Sequence, residues 1–192
     1  LHYELFLGAD KHHFDEIPRV RKEIIGLKVF MGSSTGDLLM DDDSSLHAAF
    51  AIAAQCDLML GIHAEDECLI QERQKLFAKD SAHAVHSVIR SPEVAAKAIE
   101  KVITLVRLYG TRVYILHVSS IPELELIRAA KKEGLPVYAE TSPHHLFLNT
   151  GAYAHLHGRA QMNPPLREAV HQEALFAAIA EGVIDAIGTD HA

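Results

Sequence analysis

The chain alternates short apolar runs with longer amphipathic segments, and this alternation restricts its fold more than any other feature of the sequence. Apolar runs typical of buried strands occur at 3–7, 26–31, 58–63, 112–117, 135–139 and 183–187. Between them, apolar residues recur with helical spacing at 15–25, 45–56, 67–78, 92–109, 121–134 and 168–181. Strands that alternate with helices predict an α/β fold built on a parallel sheet.

Polar residues mark where several of these helices begin and end. Ser91 and Pro92 predict the start of the longest helix, which Gly110 should end. The Ser120-Ile-Pro-Glu123 stretch has the spacing of a capping box. The acidic triplet 41–43 is interpreted as the negative start of the following helix, with a calcium loop as the weaker alternative. The polar loop 32–37 is interpreted as a lid or connector rather than a phosphate nest.

Composition excludes several classes of function. A formal charge of −8 argues against a surface that binds nucleic acid. No apolar run approaches the roughly 20 residues of a membrane span, so no membrane association is expected. Cys56 and Cys68 form neither a CxxC pair nor a disulfide framework. We therefore expect reduced thiols, a cytoplasmic location and a small-molecule substrate.

The length of the chain limits how much of a barrel it can form. Its 192 residues suffice for one domain, but a complete eight-stranded α/β barrel needs roughly 200 or more. The first residue is Leu1, and the sequence stops in a loop after the last apolar run. We therefore expect residues 1–192 to be a single, incomplete barrel domain with approximately strands three to eight. Two apolar sheet edges should then lack partners.

Four side chains that could bind a metal ion lie within or just after predicted strands: Lys28, His63, His117 and Asp190. Taken singly, a buried histidine is more often a packed core residue than a ligand. In a parallel barrel, however, the carboxyl ends of the strands meet at one mouth, so all four should converge there. Such ligands suit Zn²⁺, which activates water for hydrolysis at neutral pH. A buried lysine also requires neutralisation or a partner.

The motifs that contain these residues resemble the amidohydrolase superfamily and, within it, the cyclic amidohydrolases, with the dihydroorotase family nearest. The matching stretches are GLKVFMGSSTG (26–36), GIHAEDE (61–67), LHVSS (116–120), AETSPHHL (139–146), MNPPLRE (162–168) and IDAIGTDHA (184–192). The resemblance implies reversible conversion of N-carbamoyl-L-aspartate to dihydroorotate in pyrimidine biosynthesis. Hydantoinases, dihydropyrimidinases and allantoinases share several of these motifs, and a non-catalytic scaffold subunit is a further alternative.

The resemblance also implies a role for each matching residue. Lys28 would be carboxylated and bridge two zinc ions, His63 and His117 would bind the second ion, and Asp190 the first. Asp190 would also transfer a proton. Substrate contacts would come from Asn163, the backbone at Pro164 and His191 at the mouth. A homodimer or an association with aspartate transcarbamoylase would be the expected assembly.

Two elements of the family pattern are missing from this sequence: the His-x-His pair of the first strand and the histidine that commonly follows the final Asp-His-Ala. The family's first strand carries a His-x-His pair that completes the first metal site, whereas the only such spacing here, His155-Leu-His157, lies in a predicted loop. Glu65, Asp66 and Glu67 are interpreted as a solvated helix start, although an acid beside a ligand can orient it. For His144 and His145, structural roles and roles beside the ligands are weighed equally. The remaining histidines considered are expected at the surface: His2, His47, His83, His86 and His171.

Overall fold

A computed structural model describes residues 3–32 and 38–191 of the chain. Within these ranges, six strands form one sheet in which every neighbouring pair is parallel and the spatial order equals the chain order. The strands are β1 (Phe6–Gly8), β2 (Gly26–Phe30), β3 (Met59–His63), β4 (Val113–Ile115), β5 (Val137–Thr141) and β6 (Ala186–Ile187). Parallel strands in sequential order, with helical chain between successive strands, are the arrangement of part of a (β/α)8 barrel, which confirms the predicted fold class.

Helices cover one face of this sheet. The α-helices are α1 (Ile17–Val20), α2 (Asp43–Cys56), α3 (Glu67–Leu76), α4 (Val85–Ile89), α5 (Pro92–Tyr109), α6 (Ile121–Lys132), α7 (Pro143–Phe147), α8 (Tyr153–Leu156) and α9 (Ala169–Ala180). Short 3₁₀ turns occur at Phe14–Glu16, Thr150–Ala152 and His157–Ala160. Helices α2, α5, α6 and α9 pack in series, α2 on α5, α5 on α6 and α6 on α9.

The core lies between these helices and alternate residues of the strands. Leu60 and Ile62 of β3 and Ile115 of β4 are fully or almost fully buried, as are Phe50 of α2 and Ile99 of α5. Successive strand residues point to opposite faces of a sheet, so the same strands present a second set of side chains to the other face. That second face carries the polar residues described below.

Several predicted helix ends are confirmed. Helix α5 spans 92–109 as predicted, and Gly110 follows it with φ of 68°, a left-handed conformation that glycine adopts without a steric penalty. Helix α2 begins two residues earlier than predicted because the Asp42 carboxylate accepts a hydrogen bond from the Ser45 amide. The acidic triplet therefore caps this helix, as the preferred interpretation holds.

Other boundaries were predicted wrongly. The helix predicted at 15–25 is only the four-residue α1 after a 3₁₀ turn, and Ile25 is exposed. Strand β5 begins two residues later than predicted and includes Glu140, while β4 and β6 are shorter than predicted. Ser120 makes no capping hydrogen bond to the helix backbone. Glu123 instead accepts from the amide of Ser119, so the predicted capping box is not formed.

Two of the histidines expected at the surface are partly buried and hydrogen-bonded. His86 lies in α4, a helix that the sequence did not predict, and its Nε2 is 2.9 Å from the Met162 carbonyl oxygen. His171 Nδ1 accepts a hydrogen bond from the Ile121 amide. His47 and His83 are exposed as expected. His2 and the loop residues 33–37 lie outside the described ranges.

Exposed apolar residues occur at both outer strands of the described sheet. Leu5 and Phe6 are 58% and 41% exposed at the β1 side, and Ile187 in β6 is 56% exposed. These exposures fit the expectation that both sheet edges carry apolar surface. None of the helices in the described ranges has the length and hydropathy to span a membrane.

Candidate active site

The face of the sheet opposite the helices presents Lys28, His63 and Glu140. In β2, Leu27 and Val29 are buried on the helix side, so Lys28 and Phe30 face the other way. The Lys28 ammonium lies 4.5 Å from the centroid of the Phe30 ring. Burial lowers the pKa of Lys28 to about 8, although the charges of Asp190 and Glu140 oppose that shift. A larger share of the amine is therefore neutral near physiological pH than for an exposed lysine.

His63 and His117 meet at the carboxyl ends of adjacent strands. His63 is the last residue of β3, and its backbone is fixed because its carbonyl oxygen accepts from the Met31 amide. His117 follows β4 with φ of 41°, an uncommon conformation for a residue other than glycine. Their ring nitrogens, His63 Nδ1 and His117 Nε2, are 3.0 Å apart. Both side chains are buried, at 4% and 3% exposure.

The surroundings of His117 favour its neutral form. Burial lowers the pKa of His117 well below its usual value, and the charges of His63 and Lys28 lower it further. Its Nδ1 atom is buried and makes no hydrogen bond to another described residue. A neutral imidazole with a lone pair is the form that binds metal ions.

The second ring nitrogen of His63 contacts a buried acid. His63 Nε2 is 2.7 Å from Oε2 of Glu65, a residue with no exposed surface. The same carboxylate oxygen accepts a hydrogen bond from the guanidinium of Arg90, which is 8% exposed. The interpretation of Glu65 as part of a solvated helix start is therefore wrong. For Asp66 only the helix start is confirmed: it caps α3 by accepting from the Leu69 amide, but its side chain is only 10% exposed.

A second buried arginine links the loops around the site. Arg167 donates through Nη1 to the carbonyl oxygen of Arg90 and through Nε to Ser119 Oγ, at 3.1 Å in the latter case. Ser119 Oγ donates in turn to Glu123 Oε2 at 2.9 Å. Burial raises the pKa of Glu123, while the charge of Arg167 lowers it. This network ties the loop after β4 to the residues that follow Pro165.

The remaining residues predicted for the site are less enclosed. Asp190 has φ of 51° and is exposed, although its charge acts on Lys28 and on His144. His191 and Asn163 are exposed, whereas Pro164 is buried. The structure thus brings His63 and His117 into contact, with Lys28 and Asp190 within electrostatic range. Among the described residues, the His63 ring contacts the rings of His117 and Phe30, and His191 is not among the ring partners of either imidazole. The roles of Asn163, Pro164 and His191 stay predictions.

The donor set suits a divalent cation only in part. Two imidazole nitrogens bound to one tetrahedral zinc ion would be about 3.3 Å apart, close to the 3.0 Å between His63 Nδ1 and His117 Nε2. Within residues 3–32 and 38–191, however, no three His, Cys, Asp or Glu side chains are grouped closely enough to hold a metal ion. The two imidazoles therefore need a further ligand of another type, and Lys28 is a candidate because its charge acts on His117.

Sequence reasoning missed Arg90, Arg167 and Glu123. Arg90 gives no signal, since nothing in its neighbourhood marks it as buried. Arg167 was seen only as part of the MNPPLRE stretch.

His145 is 3% exposed and neither of its ring nitrogens has a hydrogen-bond partner among the described residues. The charge of His145 would lower the pKa of His117, and both interpretations of His145 stay predictions.

Comparison with known proteins gives a consistent set of relatives. The chain is 48% identical over 94 residues to a dihydroorotase of Desulfotalea psychrophila, covering 49% of this chain and 22% of that protein. It is 32% identical over 171 residues to a dihydroorotase of Methanosarcina acetivorans, covering 86% of this chain and 36% of that protein. The L-hydantoinase (dihydropyrimidinase) structure from Arthrobacter aurescens superposes with a TM-score of 0.93 at 28% identity, covering 100% of this chain and 43% of that one.

Other relatives carry the names D-hydantoinase and allantoinase. No family model matches the sequence. The chain spans less than half the length of each of these relatives.

Proposed function

Since the chain belongs to the cyclic amidohydrolases of the amidohydrolase superfamily, we propose that the protein containing it hydrolyses cyclic amides in a metal-dependent reaction. The observation that carries this proposal is the pair of buried imidazole nitrogens, 3.0 Å apart, at the ends of two adjacent parallel strands. The lysine of the neighbouring strand, with its lowered pKa, supports it. Dihydroorotase is the specific activity proposed, because several relatives carry that name.

The proposed site contains Lys28, His63, His117 and Asp190 as ligands of one or two zinc ions. A bound zinc ion would lower the pKa of a water molecule and polarise the amide carbonyl. A lysine amine that is partly neutral can react with CO₂ to give a carbamate, and the pKa of about 8 for Lys28 favours that reaction. The resulting anion would provide the further ligand that the two imidazoles lack, and it could bridge two ions.

The chain's own residues would then move one proton and hold the substrate. Asp190 would accept the proton of the attacking water as the C–O bond forms, and would return it to the ring nitrogen as the C–N bond breaks. Its exposed position leaves room for a substrate beside it. Asn163, the backbone at Pro164 and His191 are proposed to contact the ring. A cytoplasmic location and a place in pyrimidine biosynthesis follow only if the substrate is dihydroorotate.

Substrate turnover by the full-length protein tests the proposal. Zinc-loaded protein should hydrolyse dihydroorotate at least ten times faster than hydantoin or allantoin, measured as kcat/KM. His117→Ala should abolish turnover, whereas the control His83→Ala, which alters an exposed histidine, should not. A preference for hydantoin would instead favour the hydantoinase assignment, which the L-hydantoinase superposition supports.

No turnover of any of the three substrates by protein that contains zinc would contradict the enzymatic proposal. That result would favour the scaffold alternative, in which a homodimer or an aspartate transcarbamoylase complex is the functional form. The presence of all four ligand candidates favours the enzyme, because loss of ligands is expected in a protein that only binds partners.

A further inference from the structure

We infer that Glu65 and Arg90 are positioning residues that fix the tautomer and orientation of the His63 ring before any metal ion binds. The inference rests on the proposed function, since it assigns a purpose to His63 as a ligand. It is carried by one observation: a completely buried carboxylate lies between the His63 ring and a buried guanidinium.

The contact determines which nitrogen of His63 carries the proton. The Arg90 guanidinium has only N–H donors, so Glu65 Oε2 accepts a hydrogen bond from Arg90 Nη1. His63 Nε2 is 2.7 Å from the same oxygen, which makes Nε2 the N–H donor of this contact and leaves the lone pair of the ring on Nδ1. Nδ1 is the atom that faces His117.

The burial of the Glu65 carboxylate explains why an arginine lies beside it. A carboxylate without exposed surface is costly unless a positive charge compensates it. Arg90 lies beyond α4, 25 residues from Glu65 in sequence, and it contacts the carboxylate directly, while the charge of Arg167 also acts on Glu65. The backbone of Arg90 is held by Arg167, whose Nη1 donates to the Arg90 carbonyl oxygen. Residues of three separate loops thus fix the position of one imidazole.

His117 provides an internal comparison, because no acid orients its ring. Its Nδ1 atom is buried without a partner on another described residue, whereas the corresponding second nitrogen of His63 is bound by Glu65. Groups that hold the outer nitrogen of a histidine ligand typically contribute 10–100-fold to metal affinity. Removing the Glu65 charge should therefore weaken metal binding without removing a ligand.

Two measurements on the full-length protein test the inference, and neither depends on activity. The first is solid-state ¹⁵N NMR of metal-free protein labelled at histidine, with the His63 signals assigned by their loss in His63→Asn. Nδ1 should be unprotonated and Nε2 protonated. The second is zinc affinity, measured by competition with a chromophoric chelator. Glu65→Gln should weaken it 10–100-fold, because a glutamine amide can donate as well as accept and no longer selects one tautomer.

The control variant is Glu72→Gln, which removes the same charge from an exposed position on α3 and should leave zinc affinity unchanged. A His63 ring protonated at Nδ1 in the wild-type protein would overturn the inference, and this measurement does not depend on the folding of Glu65→Gln. Unchanged zinc affinity in a folded Glu65→Gln protein would overturn it equally. If wild-type protein binds no zinc, the proposed function fails, while the NMR result still decides the assignment of Glu65 and Arg90.

Discussion

Replacement of Arg167 by methionine should destabilise the protein strongly, because this side chain compensates a buried charge. Arg167 is 4% exposed and donates to the Arg90 carbonyl oxygen and to Ser119 Oγ. The second contact leads to Glu123, which is 2% exposed. Methionine fills a similar volume but provides neither hydrogen bond. Glu123 would keep only its hydrogen bonds from Ser119 and Ser120.

The size of the effect follows from these contacts. Removing one partner of a buried charged network typically costs about 3–5 kcal/mol, because the other charge stays buried. Two lost hydrogen bonds from a charged donor, at about 1.5–3 kcal/mol each, give a similar figure. A domain with a free energy of unfolding of about 5–15 kcal/mol would lose a large fraction of its stability. The variant should therefore unfold at clearly lower urea concentration.

The loss should depend on pH with a defined sign. Burial raises the pKa of Glu123 above its ordinary value of 4.5, and the charge of Arg167 opposes that rise. Without Arg167 the folded-state pKa rises further, so the folded variant binds a proton more tightly than the unfolded chain does. Below pH 4.5 the carboxyl is protonated in both states, and the penalty for its burial as an anion is absent. That penalty grows as pH rises from 4.5 through the folded-state pKa.

Urea unfolding of the full-length protein at pH 5 and pH 8 measures both effects. The difference between wild type and Arg167→Met should be larger at pH 8, and adding Glu123→Gln should recover part of it. Arg128→Met is the matched control, because its partner Glu181 is 51% exposed at the side chain and such pairs contribute little. A loss below about 1 kcal/mol, far under the range for a buried pair, or equal losses at both pH values, would refute the reasoning.

Two further substitutions test the ligand assignment and the strand packing. Lys28→Ala should remove about one equivalent of zinc per chain, measured by metal analysis, whereas the exposed Lys22→Ala should not. An unchanged zinc content in Lys28→Ala would contradict a lysine carbamate as a zinc ligand. Gly26→Ala places a methyl group against the Met59 carbonyl oxygen, closer than van der Waals contact allows, and should cost about 3 kcal/mol in urea unfolding. Gly110→Ala meets no atom within 4 Å and suffers only from φ of 68°, so about 1 kcal/mol is expected. Equal losses for the two glycines would contradict the predicted clash.

The sheet and its main helices could be predicted from sequence because each local signal agrees with the final packing. The segment 92–109 has a proline at its start, a glycine after its end and a continuous apolar face, and the structure reproduces both bounds. Segment 15–25 has apolar residues at helical spacing but stops after Val20, where the chain turns toward β2. Its spacing predicted a longer helix because hydrophobic periodicity does not record where the chain must reverse.

The strand ends were less predictable than the strands themselves. Strand β4 ends at Ile115, and His117 takes a left-handed conformation that no residue in the LHVSS stretch signals. In β5 the pairing extends to Thr141, because the backbone continues to bond to the loop after β4 and to Gly188. These bonds come from residues distant in sequence. Local propensity therefore places a strand correctly while misplacing its end by one or two residues.

The position of Glu65 shows which part of a buried site is accessible to sequence reasoning. Residues two apart in an extended chain point to the same side, so Glu65 should lie on the same side as His63, while Ala64 points away. That parity favours contact with the ligand over a solvated position, and the 2.7 Å distance agrees with it. The cation that pairs with Glu65 cannot be identified by the same local argument. A buried acid requires a cation, but the sequence contains 18 lysines and arginines, and only the tertiary fold selects Arg90 among them. The geometry of a ligand and its orienting acid is thus a local property, whereas the charge that stabilises the acid is a property of the whole fold.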